Sequence, residues 1–443
     1  MTPAPSAPDR ALDRSIGLWQ AAALVAGIMI GASIFVQPAE IARHVRGVPA
    51  VLAVWLLCGL ISFCGALVCA ELASAFPRTG GVYVFLKETL SPAVGFLWGW
   101  GMFWVMHSGI IAASAVIFGR YVAYFTPLGD AGIRVVAVVA ILAISLVNFF
   151  GVRQGGALQA TVTGAKLLAI AVLLVLFLIS PGGHPAPSNE AAELPGLRSF
   201  VLALSAGLFT YGGWHMVTYS AGETQDPERT IPRALMIGTL LVTVVYFALN
   251  AAYMSVLPAD RLVSSTRVAA DAASELLGPR AAAAVSLLVL VSAVGVLNGV
   301  ILAGPRGYLA MARDGLLFSW MAAVHPRYHT PHIALIVQAI WASVLVATGT
   351  YRALFTRVIY TEWLFFALMA VGLFRMRRRA DYQPRYRVWG YPIVPLIFVL
   401  ASLAVVANQI AADPRESAFG LLLILIGWPV YHFWARRRPT VDH

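Results

Sequence analysis

Apolar segments of about 20 residues recur from end to end of this chain, separated by short polar stretches. A helix of that length crosses the hydrocarbon core of a bilayer, so the pattern predicts an all-α membrane protein with twelve transmembrane spans. The predicted spans, numbered 1 to 12, cover residues 17–41, 49–73, 92–118, 132–150, 157–179, 198–221, 233–256, 281–305, 332–349, 354–374, 391–411 and 418–435. No separate soluble domain is predicted, since the longest polar stretches are only loop-sized.

Spans 1 and 6 are interrupted midway by glycine-rich, helix-weakening runs. The runs read Gly-Ile-Met-Ile-Gly-Ala-Ser-Ile-Phe at 27–35 and Gly-Leu-Phe-Thr-Tyr-Gly-Gly-Trp at 207–214. Unwound backbone at mid-membrane exposes N–H and C=O groups, which costs several kcal/mol per group unless a partner satisfies them. Close helix packing is the alternative explanation for isolated glycines. Two broken spans at corresponding places are typical of a transporter's substrate site.

The position of the second break divides the chain into repeated halves. Five spans precede it and five begin with it, which predicts a 5+5 inverted repeat, with spans 11 and 12 as an appendage. We therefore predict a disordered cytoplasmic tail at 1–14, a ten-helix transport core at 15–375, and helices 11–12 with a basic cytoplasmic tail at 376–443.

Only 12% of the residues are charged, about half of what a soluble protein carries, and the formal net charge is +11. With the N-terminus inside, 19 of the 31 Lys and Arg residues fall in cytoplasmic segments and 11 in external ones. This positive-inside bias predicts a bacterial inner-membrane protein with both termini cytoplasmic. It explains the basic charge by topology and lipid headgroups, so no nucleic-acid partner is expected.

Cysteine chemistry limits the partners further. Cys58, Cys64 and Cys69 all lie in span 2, at spacings that suit neither a disulfide nor a metal site. No metal, cofactor or disulfide-linked partner subunit is expected. Homo-oligomerisation stays open.

Charged residues and helix breakers are mixed in two predicted cytoplasmic loops, 70–83 and 222–234. Pairs such as Glu223 or Asp226 with Arg78 or Arg306 are candidates for an intracellular gate. The alternative is that these are ordinary solvated charges, worth under about 1 kcal/mol each.

Six segments resemble the amino acid–polyamine–organocation transporters, and most closely the bacterial members of the L-type amino acid transporter family. They are both glycine breaks, 70–83, 209–233, Gly164-Ala165-Lys166-Leu167-Leu168, and the stretch from Met311-Ala312-Arg313-Asp314-Gly315-Leu316 to His325-Pro326-Arg327-Tyr328. The resemblance covers the chain beyond residue 14. It implies a secondary transporter of amino acids across the plasma membrane.

The resemblance also implies where an amino acid zwitterion binds. Helix-start N–H groups near Gly31, Ala32 and Ser33 face its carboxylate, and C=O groups of Met29, Phe209, Thr210 and Gly212 face its ammonium. Many relatives carry Ser and Gly where this chain has Ala32 and Ser33, so the Ser33 side chain narrows the pocket and favours a smaller substrate.

Two aromatic residues of span 6 are further candidates. Phe209 stands beside the break, where a ring can close over a ligand as a gate; core packing is the alternative. His215 replaces an amide that relatives often carry, and is a candidate pocket residue. A lone intramembrane histidine is otherwise a packing residue.

Lys166 lies about ten residues into an otherwise apolar span 5, where a charge must face the bundle interior and find partners. In sodium-coupled relatives of this fold a cation bridges spans 1, 5 and 8 through span-8 hydroxyls, but residues 287–305 hold one hydroxyl, Ser292. An ammonium in the sodium's place predicts sodium-independent transport. A Lys166 that gains and loses a proton predicts proton symport; one that stays charged predicts exchange or facilitation.

Glu362 in span 10 is another intramembrane charge, a candidate for carrying a proton or contacting a polar or cationic substrate. A pairing role within the bundle is the alternative. Because no other pocket carboxylate is evident, small or medium neutral L-amino acids are the predicted substrates. Cationic amino acids, polyamines and modified amino acids remain alternatives.

Other classes fit less well. The chain holds no HExxH, P-loop or GxSxG motif, so an enzyme is not expected. A channel would need a repeated filter. A transport-fold nutrient receptor would usually carry an added signalling domain.

Overall fold

A computed structural model describes residues 14, 16–150, 152–179, 196–328, 330–349 and 351–435. The predicted tail at 1–14 and the arginines at 436–438 fall almost wholly outside these residues. The helices at the predicted spans are, in order, Leu18–Met29 with Gln37–His44, Val48–Ala75, Pro92–Gly101 with His107–Val122, Asp130–Phe150, Val152–Ile179, Leu197–Thr210, Pro227–Val256, Pro279–Arg313, His332–Thr348, Tyr351–Met376, Ile393–Ala412 and Pro414–Ala435.

The predicted class, an all-helical membrane protein, is confirmed. In the part of the chain that the structure describes, nine helices are long and apolar enough to cross a membrane, and three more apolar helices are shorter. Short helices at Val82–Thr89, Ala259–Ser264 and Val268–Leu277 occupy loops. The count of twelve spans, the 5+5 repeat and the domain boundaries stay predictions.

Both predicted breaks are present in the backbone. In span 1 the α-helix ends at Met29, Gly31 is extended with φ −94° and ψ −179°, and a 3₁₀ helix follows at Ala32–Phe35. In span 6 the α-helix ends at Thr210, and a 3₁₀ helix runs over Trp214–Glu223. Each broken span therefore places two half-helix ends inside the bundle.

Spans 1, 2, 6 and 7 pack closely because glycines lie where they meet. A Cβ on Gly238 would lie 2.5 Å from a methyl carbon of Val25, and one on Gly59 would lie 2.7 Å from the Thr243 hydroxyl. Cys58 of span 2 donates through its thiol to the Leu204 carbonyl oxygen of span 6 at 3.4 Å. Small residues at helix crossings permit this separation.

Polar contacts join spans 3, 4, 8 and 9 into a second group. Asn148 of span 4 donates its amide to Asn298 Oδ1 of span 8 at 2.9 Å, in a buried contact. Trp341 of span 9 donates to the Trp104 carbonyl oxygen of span 3 at 2.9 Å. A π-helical turn at Met102–Met106 interrupts span 3, a feature that hydropathy did not predict.

The loop between spans 10 and 11 is held against the end of span 2 by a buried carboxylate. Arg377 Nη2 donates to Glu71 Oε2 at 2.6 Å, and the Val388 N–H donates to the same oxygen at 2.7 Å. The Tyr386 N–H donates to Ser74 Oγ at 2.8 Å. We call these five residues the Glu71 clamp.

Candidate site at the two helix breaks

The breaks of spans 1 and 6 lie against each other. Gly213 has φ +97°, a region that L side chains rarely adopt, and a Cβ there would come within 2.7 Å of Ile28 Cγ2. Glycine at 213 therefore serves both the turn and the close approach of span 1. This direct contact brings the two sets of half-helix ends to one place.

A tyrosine of span 7 ties the two breaks together. The fully buried Tyr246 hydroxyl lies 2.5 Å from the Met29 carbonyl oxygen and 3.2 Å from the Thr210 carbonyl oxygen. These are the last residues of the first half-helices of spans 1 and 6. Because helix ends leave carbonyls without intrahelical partners, one hydroxyl serves both breaks. Tyr246 could not be identified from the sequence, since its position in span 7 gives no signal of this contact.

A cavity of about 40 Å³ lies at the junction of the breaks. Seven predicted substrate-binding residues line it: Met29, Gly31, Ala32, Ser33, Phe209, Thr210 and Gly212. The eighth, His215, is not among the lining residues. The rest of the wall comes mainly from spans 3, 8 and 10, through Ile110, Ser114, Val296, Val300, Val358 and Glu362.

The backbone of the first break is partly engaged. The Gly31 N–H donates to the Met29 carbonyl oxygen at 2.7 Å, so neither group is free of an internal partner. Ala32 and Ser33 begin the 3₁₀ helix, and the first N–H groups of a helix have no partner within it. The N–H groups of Ala32 and Ser33 therefore stand at a helix start within the break, where the backbone carries partial positive charge.

Lys166 lies beside the first break and is fully buried. Its ammonium donates to the Gly27 carbonyl oxygen at 2.6 Å and to the Ile30 carbonyl oxygen at 2.7 Å. A Cβ on Gly295 of span 8 would lie 3.8 Å from the same nitrogen. The ammonium thus stands where spans 1, 5 and 8 meet, and it satisfies carbonyls that the unwinding of span 1 leaves open.

Glu362 enters the cavity wall from span 10 and is 3% exposed. Its Oε1 lies 3.7 Å from Nε2 of the fully buried His215. That separation is too long for a hydrogen bond. His215 thus stands behind Glu362 rather than on the cavity surface.

The predicted gate residues separate into different pairs. Arg306 Nη2 lies 3.4 Å from Glu223 Oε1, with both side chains about one-fifth exposed. Arg78 instead donates to Glu88 at 2.9 Å. Asp226 lies 3.6 Å from Arg385.

Among the described residues, no cluster of three or more His, Cys, Asp or Glu side chains is placed to hold a metal ion. The three cysteines are free thiols, with Cys58 and Cys69 buried. The ionisable side chains at the site are those of Lys166, Glu362 and His215. Hydroxyls of Ser33, Ser114 and Thr210 also line the cavity.

Comparison with known proteins gives one family. The sequence model of the family described as "Amino acid permease" matches residues 16–429. The serine/threonine exchanger SteT of Bacillus subtilis is 31% identical over 98% of this chain and 99% of its own length. The human large neutral amino acids transporter small subunit 2 is 30% identical, over 95% of this chain and 80% of its own. The human cystine/glutamate transporter is 28% identical, over 96% of this chain and 85% of its own length.

Proposed function

This chain belongs to the amino acid permease family, and on that premise we propose that it exchanges small or medium neutral L-amino acids across the plasma membrane without sodium. The chain is a multi-pass membrane transporter of amino acids and not an enzyme. In this proposal the protein lies in the bacterial inner membrane, with both termini on the cytoplasmic side.

The observation that carries the proposal is the position of the Lys166 ammonium. It makes two short hydrogen bonds to the broken part of span 1 and lies beside span 8. A bound cation at this junction would compete with it for the same carbonyls. Ser286 and Ser292 are the hydroxyls of the outer part of span 8, and neither serine oxygen has a hydrogen-bond partner among the described residues. A fixed ammonium makes sodium unnecessary for holding spans 1, 5 and 8 together.

Substrate binding follows from the backbone ends at the cavity. We assign the substrate carboxylate to the Ala32 and Ser33 N–H groups and the ammonium to carbonyls of the span-6 break at Phe209, Thr210 and Gly212. Thr210 already accepts from Tyr246, but a carbonyl oxygen has a second lone pair. The Ser33 hydroxyl and the apolar valines of spans 8 and 10 limit the substrate's size.

Exchange is favoured over proton symport by a fixed Lys166. In this proposal Lys166 keeps its proton through the transport cycle while bonded to the Gly27 and Ile30 carbonyl oxygens. The Bacillus subtilis relative, by its name, is an exchanger. A proton gradient that drives uptake into vesicles without internal amino acid would instead support symport.

Phe209 is the proposed gate over the substrate, since it is half-buried and lines the cavity. Phe209→Ala removes a ring that shields the site from water, so we expect exchange to fall severalfold, measured as the initial rate of labelled amino acid uptake. Unchanged uptake in Phe209→Ala would remove the gate assignment.

The Arg306–Glu223 pair is the proposed latch at the predicted cytoplasmic end.

Counterflow tests the proposed function. The purified full chain, in liposomes loaded with one unlabelled amino acid, is given the labelled amino acid outside, and each of the standard amino acids is tried in turn. We expect saturable accumulation that requires internal substrate. A transport-fold receptor gives binding without accumulation, and a channel gives flux that does not saturate; either result contradicts the proposal.

A further inference from the structure

Glu362 and His215 form a polar pair at the edge of the cavity, with Glu362 Oε1 3.7 Å from His215 Nε2. Within the described part of the chain, Glu362 Oε1 and both ring nitrogens of His215 have no hydrogen-bond partner. Both side chains are more than nine-tenths buried. Buried polar atoms are nearly always paired, so such a group at a cavity points to a partner that arrives with the ligand.

Aromatic rings close the other sides of the histidine. Ring centroids of Trp98, Trp214 and Phe366 lie 5.8, 5.6 and 5.0 Å from that of His215. The Trp98 indole N–H is directed to the Tyr219 hydroxyl at 3.2 Å, so it is not offered to the pair. Glu362 is therefore the polar group through which the pair meets the cavity.

One proton between the two groups makes the pair electrically neutral. A buried carboxylate or imidazolium alone is costly in the membrane interior. With one shared proton the pair is either a carboxylic acid beside a neutral imidazole or a carboxylate beside an imidazolium, and the net charge is zero in both. Lys166, the other buried charge at the breaks, is bonded to span-1 carbonyls. A neutral pair has no excess negative charge to attract a cationic substrate.

We propose that the Glu362 carboxyl recognises a hydroxyl on the substrate side chain, with His215 as the residue that positions its proton. A Cβ on Gly212 would lie 4.0 Å from Glu362 Oε2, which places that oxygen at the span-6 break where the substrate ammonium is assigned. Ile110, Val296 and Val358 form apolar parts of the cavity wall, and Ser33 and Ser114 add hydroxyls to it. This inference rests on the proposed function and refines its substrate class to small, neutral, hydroxyl-bearing amino acids.

Threonine and valine differ by a hydroxyl in place of a methyl group and nearly match in shape. A site built to bond a hydroxyl rejects the analogue without it, because its own buried polar atoms are left unpaired. Leaving such a group unpaired costs about 1–3 kcal/mol, so we expect threonine to inhibit counterflow of labelled serine about 10- to 100-fold more strongly than valine. Lysine and putrescine should inhibit more weakly than threonine.

Substitutions of Glu362 test whether this residue produces the preference for threonine over valine. Glu362→Leu should reduce the threonine-to-valine ratio to within about threefold of unity, whereas Glu362→Gln, whose amide still bonds a hydroxyl, should keep most of it. Thr361→Val is the matched control: Thr361 is the preceding residue, fully buried, with an unpartnered hydroxyl, and does not line the cavity. Its ratio should equal that of the wild type.

The possible outcomes distinguish failure of hydroxyl recognition by Glu362 from failure of the proposed amino acid exchange. Equal inhibition by threonine and valine in the wild-type chain overturns the inference, with no variant needed, and leaves amino acid exchange standing. Stronger inhibition by lysine or putrescine also overturns it, since the pair would then act as an anion. A ratio unchanged in Glu362→Leu assigns the selectivity elsewhere and overturns the residue assignment. Absence of counterflow with every amino acid contradicts the proposed function itself.

Discussion

Replacing Tyr246 by phenylalanine removes a hydroxyl that bridges the two helix breaks. The hydroxyl lies 2.5 Å from the Met29 oxygen and 3.2 Å from the Thr210 oxygen, and both carbonyls end a half-helix inside the bundle. The ring itself packs between Trp55 and Tyr211, with centroids at 5.7 and 4.9 Å, and phenylalanine preserves this packing. The substitution therefore isolates the hydrogen bond.

The expected loss is about 1–3 kcal/mol of unfolding free energy, the usual effect of leaving a buried acceptor unpaired. Met29 keeps its bond from the Gly31 N–H, so the larger part of the loss falls on Thr210. Because the same carbonyl is assigned to the substrate ammonium, exchange should also slow. We expect a lower thermal unfolding midpoint in detergent, measured by the monodisperse fraction after heating, and a reduced counterflow rate.

Tyr253→Phe is the matched control for this substitution. Tyr253 is two turns further along the same helix and fully buried, but its hydroxyl has no hydrogen-bond partner among the described residues. Removing that hydroxyl should leave the midpoint unchanged or raise it, because an unpaired buried hydroxyl is itself unfavourable. Equal losses in the two variants, or no loss in Tyr246→Phe, would refute the bridging role.

Three further substitutions test other contacts. Lys166→Met should reduce counterflow roughly 100-fold or more, because it removes two charge-assisted hydrogen bonds of about 1.5–3 kcal/mol each. Lys87→Met, at the chain's other lysine, is the matched control. It loses a partly exposed ion pair and should change the counterflow rate less than about twofold. Gly213→Ala should lower the unfolding midpoint by a strain of about 1–3 kcal/mol, and an unchanged midpoint contradicts a glycine requirement at φ +97°. Arg377→Met leaves the buried Glu71 carboxylate without its charged partner and should lower the unfolding free energy by about 3–5 kcal/mol. Adding Glu71→Gln should restore part of this stability. A double variant that is no more stable than Arg377→Met argues against the Glu71 clamp.

The positions of the spans and their breaks could be predicted because they depend on local sequence. Hydropathy along one helix reports whether its surroundings are apolar, and glycine reports where a helix is easily unwound. The bounds predicted for span 4, 132–150, differ from the helix Asp130–Phe150 by two residues at one end. Lys166 was identifiable for the same reason, since a charge at the middle of an apolar span must find partners.

Contacts between distant spans could not be predicted in this way. Glu71 and Arg377 are 306 residues apart in sequence, and each reads locally as a charge at the end of a helix. Tyr246 reads as one more aromatic residue in an apolar span, and only the crossing of spans 1, 6 and 7 makes it a bridge. His215 was a candidate pocket residue, but the packing places Glu362 between it and the cavity.

Exchange measured with and without sodium tests the central claim most directly. Liposomes holding the purified wild-type chain are loaded with unlabelled serine, and uptake of labelled serine is followed in sodium chloride and in choline chloride of the same concentration. With Lys166 in the place of a coupling cation, the two rates should be equal, and both should require internal amino acid. A rate that rises with sodium and is lost in choline would contradict the account.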